Sequence, residues 1–199
     1  MSNYTFFTNP MSRAQIALWA FHEVGAEFDP VMVEWDDKPQ ALLDANPMGK
    51  LPTIIHHGKF GDRVVTEAAA ICHYLAEVEA RELLPRDEEK ADYFRWLMFA
   101  AGPVEHAVTS KAMGWEPSAE QEMMAGFGNN DRTVATIEGW MQDRDYICGS
   151  RFTMADVYCG SQVIWGLEFS TLPQAPAFIA YAERLRHRPA YRATEDAAN

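Results

Sequence analysis

The strongest constraint on the fold is the point along the chain where strand-like segments stop. Four short β-prone runs occur before residue 67, and the last two are joined by a turn that carries Gly58 and Gly61. The runs are Tyr4 to Phe7, Val31 to Val33, Thr53 to Ile55 and Val64 to Val65. After Leu84-Pro85 only helical periodicity remains. The sequence therefore predicts an α/β domain over residues 1–80, in the order βαβ, connecting segment, ββα, and an all-helical domain over residues 87–199.

Helical spacing and end signals mark the second half. Apolar residues from Phe94 to Val108 recur at intervals that predict one long amphipathic helix. Thr153 and Asp156 have the spacing of a capping box, in which each side chain bonds the other residue's backbone N–H at the start of a helix. Pro176 is placed to start the next helix.

The composition excludes several classes of protein. The net charge of −12 argues against binding to nucleic acid or to an anionic membrane, since both need clustered Lys and Arg. No run approaches the roughly 18 apolar residues of a transmembrane helix, and the start MSNYTFF lacks a secretory signal pattern. The histidines show no metal-ligand spacing, so no metal site is predicted. Three cysteines without a CxxC pair suit a reducing, cytoplasmic location.

Five segments carry motifs in a fixed order. They are the opening loop NPMSRAQIALWAFHEVG, the turn NPMGKLPTI at 46–54, the helix start TEAAAICHYLAE at 66–77, the segment GSRFTMADV at 149–157 and the late RLRHRPAYRA. Together they resemble the cytosolic glutathione transferase family, in its Ser-type form, over nearly the whole chain. The resemblance implies a thioredoxin-like first domain, an all-helical second domain, a homodimer, and glutathione as co-substrate without a metal.

The chemistry of that family needs the thiolate of glutathione. A free thiol has a pKa of about 8.5, and lowering it by about two units corresponds to about 2.7 kcal/mol of differential stabilisation. Ser12 matches the position of the activating hydroxyl in the Ser-type members. Spacing alone favours a first-turn serine that bonds the backbone, and the whole-chain resemblance favours the activating role instead. Asn9 is the alternative donor, and it is also placed to cap the first helix with Pro10 as the first helical residue.

The resemblance also assigns the residues that bind the tripeptide. Leu51-Pro52 resembles the family's cis-proline turn, which would expose the main chain of Leu51 to the cysteinyl unit. Glu67 would hold the amino group of the γ-glutamyl end, with its carboxylate bonded to the first N–H groups of the following helix. Ala68 stands where the family usually has Ser, so one hydrogen bond to glutathione is missing. Lys50 and Lys38 would face the glycine carboxylate. The alternative interpretation of both is a solvated surface lysine.

The predicted function is transfer of the glutathione thiolate to a hydrophobic electrophile. Candidate residues for the electrophile pocket are Met11, His106 and Trp115. One alternative is a protein that kept the fold and lost catalysis, which the missing hydroxyl at Ala68 favours. Another is a glutathione-dependent isomerase, peroxidase or ether-cleaving enzyme on the same site, because one fold and one thiol site serve several reactions.

Overall fold

The computed structural model describes residues 2–198, which form two compact units. The first runs to Leu84 and includes the segment from Arg188 onward, and the second is Pro85–His187. Among the described residues, no helix is both long and apolar enough to cross a membrane.

The first unit contains the four predicted strands. Its elements are β1 (Tyr4–Thr8), α1 (Ala14–Val24), β2 (Asp29–Met32), α2 (Gln40–Ala45), β3 (Thr53–Gly58), β4 (Gly61–Thr66) and α3 (Ala68–Glu79). The strand order is β2-β1-β3-β4, in which β2 is parallel to β1 and the other neighbours are antiparallel. The predicted thioredoxin-like βαβ and ββα halves are thereby confirmed.

Side-chain alternation along β1 separates two cores. Phe7 packs with Val33 and Leu42 on the face that α2 covers. Phe6 points the other way and contacts the Phe21 ring of α1, with ring centroids 5.3 Å apart. This alternation is the ordinary period of two in a strand, and it holds α1 and α2 on opposite faces of the sheet.

The second unit is helical throughout its described elements. These are α4 (Lys90–Phe99), α5 (Glu105–Ala112), α6 (Asn130–Met141), α7 (Met154–Glu168) and α8 (Pro176–Arg186). The capping box of Thr153 and Asp156 is present at the start of α7, and Pro176 starts α8 as predicted.

The long helix predicted from Phe94 to Val108 is interrupted. A π-helical turn at Ala100–Val104 separates α4 from α5, and Pro103 lies inside it. Proline has no N–H to donate and clashes with the preceding turn, so a regular α-helix cannot continue through it. The buried face also differs from the expected one, because Tyr93 and Trp96 are buried while Phe94 is exposed.

The last helix, α9 (Pro189–Ala198), groups with the first unit rather than with the helical domain predicted over 87–199. The ring of Tyr191 meets that of Trp19 on α1 edge to face, with centroids 4.9 Å apart. Arg188 donates two hydrogen bonds, of 2.6 and 2.7 Å, to the carboxylate of Glu23. A partly buried ion pair and an aromatic contact thus attach α9 to α1.

Candidate functional site

Strand register brings several loops together at one end of the sheet. Phe7 pairs with Thr53, and Thr53 pairs with Thr66, so β1 and β4 end where β3 begins. The loop after β1, the turn before β3 and the start of α3 therefore lie at the same end of the sheet. Each of these three segments carries a residue predicted for the glutathione site.

The turn before β3 contains the cis peptide bond predicted at Leu51-Pro52. Asn46, only 7% exposed, holds this turn. Its Nδ2 donates to the Lys50 carbonyl at 3.1 Å and to Thr53 Oγ1 at 3.0 Å, and its Oδ1 accepts from the Met48 N–H at 3.1 Å. Sequence reasoning gave Asn46 no role. The available signal was Asn at the start of the NPMG turn, where an Asn side chain commonly bonds the backbone two residues on.

The main chain of Leu51 is open at this turn. Within residues 2–198, neither its N–H nor its C=O has a hydrogen-bond partner, whereas the neighbouring Lys50 carbonyl accepts from Asn46 and from Thr53 Oγ1. A free N–H and C=O pair beside a strand can accept an extended peptide as an added strand. This geometry is the one that the sequence predicted for Leu51.

The loop after β1 is organised by Asn9. Its Nδ2 donates to the Val33 carbonyl at 3.0 Å, and its Oδ1 accepts from the Met11 N–H at 2.8 Å. The expectation that Asn9 caps the first helix with Pro10 as the first helical residue is wrong, because α1 begins at Ala14. The Asn9 amide instead closes a local turn and ties it to the residue after β2.

Ser12 lies half-buried in the last turn before α1. Its hydroxyl donates to the Asn9 carbonyl at 2.7 Å and accepts from the Ala14 N–H at 3.1 Å. The same Asn9 carbonyl also accepts from the Ser12 N–H at 3.1 Å. The structure therefore places Ser12 at the predicted edge with its hydroxyl bonded to the backbone.

Glu67 stands between β4 and α3 in an unusual backbone conformation. Its φ is 63° and its ψ is 111°, a region that a residue with a side chain enters at a cost of about 1–3 kcal/mol. The predicted bonds from its carboxylate to the first helical N–H groups are absent, because that carboxylate is exposed and meets Thr66 Oγ1 at 3.5 Å. Among the described residues, no side chain caps the start of α3. The N–H groups of Ala68 and Ala69 consequently stay available to an anion.

Two lysines supply positive charge near the cis-proline turn. Lys50 is exposed, and its carbonyl is held by Asn46. The Lys38 side chain lies over Gly49, where its Nζ would come within 3.3 Å of an added Cβ. Gly49 itself has a φ of 57°, which favours glycine. Lys50 thus directly precedes Leu51, and Lys38 lies beside Gly49, two residues before Leu51.

The residues predicted for an electrophile pocket belong to different units. Met11 is 83% exposed beside Ser12 in the first unit. His106 is exposed on α5, and Trp115 is 69% exposed in the segment that follows α5, both in the second unit. Among the described residues, no group of three or more His, Cys, Asp or Glu side chains is arranged to hold a metal ion.

Comparison with known families identifies both halves of the chain. Residues 10–78 match the family described as "Glutathione S-transferase, N-terminal domain". Residues 101–189 match "Glutathione S-transferase, C-terminal domain". The first match contains Ser12, the turn before β3 and the start of α3.

Individual relatives agree with the family profiles. Glutathione S-transferase 1 of Schizosaccharomyces pombe is 30% identical, over 80% of this chain and 79% of that protein. Glutathione S-transferase AN1595 of Emericella nidulans is 28% identical over 72% of this chain, which spans 55% of that relative's length. The crystal structure of the theta class glutathione S-transferase from Xanthomonas axonopodis pv. citri, with glutathione bound, superposes with a TM-score of 0.78 at 27% identity, over 98% of this chain and 97% of that one. The chain therefore belongs to the glutathione S-transferase family of enzymes.

Proposed function

We propose that the protein binds reduced glutathione at the edge where β1, β3 and α3 meet, stabilises its thiolate with Ser12, and transfers it to a hydrophobic electrophile. One observation carries the proposal: the unpaired main chain of Leu51, the uncapped start of α3 and the Ser12 hydroxyl converge at one edge of the first unit. The glutathione bound to the Xanthomonas relative supports the ligand.

The available groups match the charges of the tripeptide. The cysteinyl unit pairs with the main chain of Leu51 as an added strand. The α-carboxylate of the γ-glutamyl end accepts from the N–H groups of Ala68 and Ala69, and its ammonium group meets the Glu67 carboxylate. Lys50 and Lys38 pair with the glycine carboxylate. Their positive charges offset the repulsion between an anionic ligand and a chain of net charge −12.

The Ser12 hydroxyl reaches the sulfur by turning away from the Asn9 carbonyl. A neutral hydrogen bond contributes about 0.5–1.5 kcal/mol, whereas a bond to a charged acceptor contributes about 1.5–3 kcal/mol. The exchange is therefore favourable by about 1 kcal/mol. The Asn9 carbonyl also keeps its bond from the Ser12 N–H, so no buried acceptor is left without a donor. Asn9, with its amide already bonded to Val33 and Met11, acts as a positioning residue for this loop.

The test replaces the hydroxyl and measures both thiol ionisation and transfer. In Ser12→Ala, loss of this net gain of about 1 kcal/mol is expected to raise the pKa of the bound thiol by about 0.7 units and to lower kcat/KM for chlorodinitrobenzene by about fivefold. Ser2→Ala is the matched control, because the Ser2 hydroxyl also donates to a backbone carbonyl, that of Tyr4. Full activity and an unchanged thiol pKa in Ser12→Ala would refute the role of Ser12.

A binding protein of the same fold without transferase activity is the second candidate. Two observations favour it: the Ser12 hydroxyl is satisfied by the backbone, and Ala68 has no hydroxyl for the ligand. Calorimetry with glutathione, followed by a substrate screen, separates the possibilities. Binding without conjugation supports the second candidate, while isomerisation, peroxide reduction or ether cleavage assigns another reaction to the same site.

Assembly, location and the electrophile pocket are part of the proposal. A homodimer, and Met11, His106 and Trp115 as candidate contacts of the electrophile, rest on the family resemblance. A cytoplasmic location agrees with the free thiols of Cys72, Cys148 and Cys159. Size-exclusion chromatography with light scattering tests the dimer, and alanine variants of the three pocket candidates test the pocket through KM for the electrophile.

A further inference from the structure

Three side chains form a hydrogen-bonded row at the opposite end of the sheet from the glutathione site. Asp62 Oδ1 lies 2.9 Å from His57 Nδ1, and His57 Nε2 lies 2.8 Å from Thr5 Oγ1. Asp62 is on β4, His57 on β3 and Thr5 on β1. The row therefore crosses three adjacent strands.

Strand register explains why the three groups meet. His57 pairs with Asp62, and Thr5 pairs with Ile55, two residues before His57 on the same face of β3. Diagonal neighbours in a sheet are about 7–8 Å apart, within reach of an imidazole. His57 is four residues from Thr53, which corresponds to about 13 Å along the strand. Changes here are accordingly remote from Leu51 and Ser12.

Hydrogen-bond chemistry sets the direction of proton transfer. An ionised carboxylate only accepts, so His57 carries its proton on Nδ1 and donates it to Asp62. The Nε2 lone pair then accepts from the Thr5 hydroxyl. A hydroxyl bonded to a base, which a carboxylate orients in turn, is the arrangement that activates a nucleophile in acyl transfer.

We propose that Thr5 is a covalent modification site for small activated acyl esters, with His57 as general base and Asp62 as its positioning residue. The Thr5 oxygen attacks the acyl carbonyl, and its proton moves to His57 Nε2. The new bond joins Thr5 Oγ1 to the acyl carbon, and the bond from that carbon to the leaving oxygen breaks. The leaving oxygen departs with the electron pair of that bond, and the proton passes from His57 to it or to solvent. The product is one acyl group on Thr5.

Thr5 is only partly exposed, which favours a small acyl donor. The side chains of His57 and Asp62 are 39% and 66% exposed, so an ester approaches from solvent. The described site includes the base and its orienting carboxylate, and general base catalysis contributes about 10²–10⁴-fold to such a step. We expect stoichiometric acylation rather than rapid turnover.

The test treats the full-length protein with p-nitrophenyl acetate and locates acetyl groups by peptide mass spectrometry. Thr136 is the internal control, because its exposed hydroxyl donates to the Arg132 carbonyl instead of to a histidine. Thr5 is expected to be acetylated at least about 100-fold faster than Thr136. The His57→Gln variant is expected to lose that advantage, and Asp62→Asn to lose about tenfold of it. Thr5→Val removes the modified group.

The melting temperature of each variant shows whether the fold is kept. If His57→Gln does not fold, Asp62→Asn provides the test, because Asp62 is an exposed residue of the β-hairpin. Acetylation of Thr5 no faster than Thr136, an unchanged rate in a folded His57→Gln or Asp62→Asn variant, or acetyl groups confined to lysines would each overturn the assignment. Loss of glutathione conjugation in Ser12→Ala bears on the first site alone, so the two proposals fail independently.

Discussion

Replacing Asn46 by alanine tests how the cis-proline turn is held. The substitution removes the two bonds that its Nδ2 donates, to the Lys50 carbonyl and to Thr53 Oγ1, and the bond that its Oδ1 accepts from the Met48 N–H. At about 1 kcal/mol for each net hydrogen bond, the free energy of unfolding is expected to fall by about 3 kcal/mol. In a chain of this length, that loss corresponds to a decrease in Tm of roughly 6–12 °C.

The same substitution is expected to weaken glutathione binding. Without Asn46, only Thr53 Oγ1 still donates to the carbonyl of Lys50, the residue before Leu51. A less firmly held Leu51 is expected to lose one or two hydrogen bonds to glutathione. This loss lowers the affinity by about 10–100-fold. The assays are chemical denaturation for stability and calorimetry with glutathione for affinity.

Two control variants separate stability from ligand geometry. Asn46→Asp keeps the acceptor for the Met48 N–H but sets a buried carboxylate oxygen against the Lys50 carbonyl, so a loss of stability at least as large as that of Asn46→Ala is expected. Asn129→Ala removes the N-cap of α6, where Asn129 accepts from the Arg132 N–H at 2.8 Å, and is expected to cost about 1 kcal/mol without changing glutathione affinity. The reasoning is refuted if Asn46→Ala binds glutathione as tightly as the natural protein despite the lower stability.

Three further predictions concern single residues. Ala68→Ser restores the hydroxyl typical of the family and is expected to increase glutathione affinity by tenfold or more, from about 1.5 kcal/mol for a bond to a charged group; unchanged calorimetry would show that position 68 does not face the ligand. Glu67→Gly relieves the positive φ and is expected to raise Tm while weakening glutathione binding, so a lower Tm would exclude backbone strain at this residue. Burial raises the pKa of the Asp156 carboxyl to about 6, although two backbone N–H groups and two hydroxyls donate to it. The folded state therefore binds this proton more readily than the unfolded state, and stability from this group is present below about pH 4 and lost as the pH rises through 6, by up to about 3 kcal/mol. Urea unfolding from pH 4 to 7.5 should show this loss, and Asp156→Asn should remove it.

Local patterns were sufficient for part of the site. The motif NPMGKLPTI, compared with the family, located the cis bond at Leu51-Pro52, because proline is the only residue for which a cis peptide is common. The spacing of Thr153 and Asp156 identified the start of α7, since a capping box depends only on residues three apart in sequence. Neither inference needed knowledge of how distant segments pack.

Other features depended on contacts that no local pattern encodes. The sequence allowed two interpretations of the Ser12 hydroxyl, as an activating group or as a partner of the backbone. In the structure it bonds the Asn9 carbonyl and the Ala14 N–H. The carboxylate of Glu67 was expected on the start of α3, but Glu67 is exposed, has a positive φ and makes no capping bond. Backbone conformation at one residue is set by the segments that fix both of its neighbours, which is why the sequence was not sufficient here.

By itself, the sequence determined the two-part layout and the order of strands and helices, because periodicity, turn residues and motif spacing are properties of neighbouring positions. Only the tertiary structure decided that the helix after Arg188 packs on α1 through Glu23, that Asn46 holds the cis-proline turn, and that Thr5, His57 and Asp62 meet across three strands. These contacts join residues separated by strand register or by most of the chain. Their formation depends on which segments share a surface after folding, and local spacing does not carry that information.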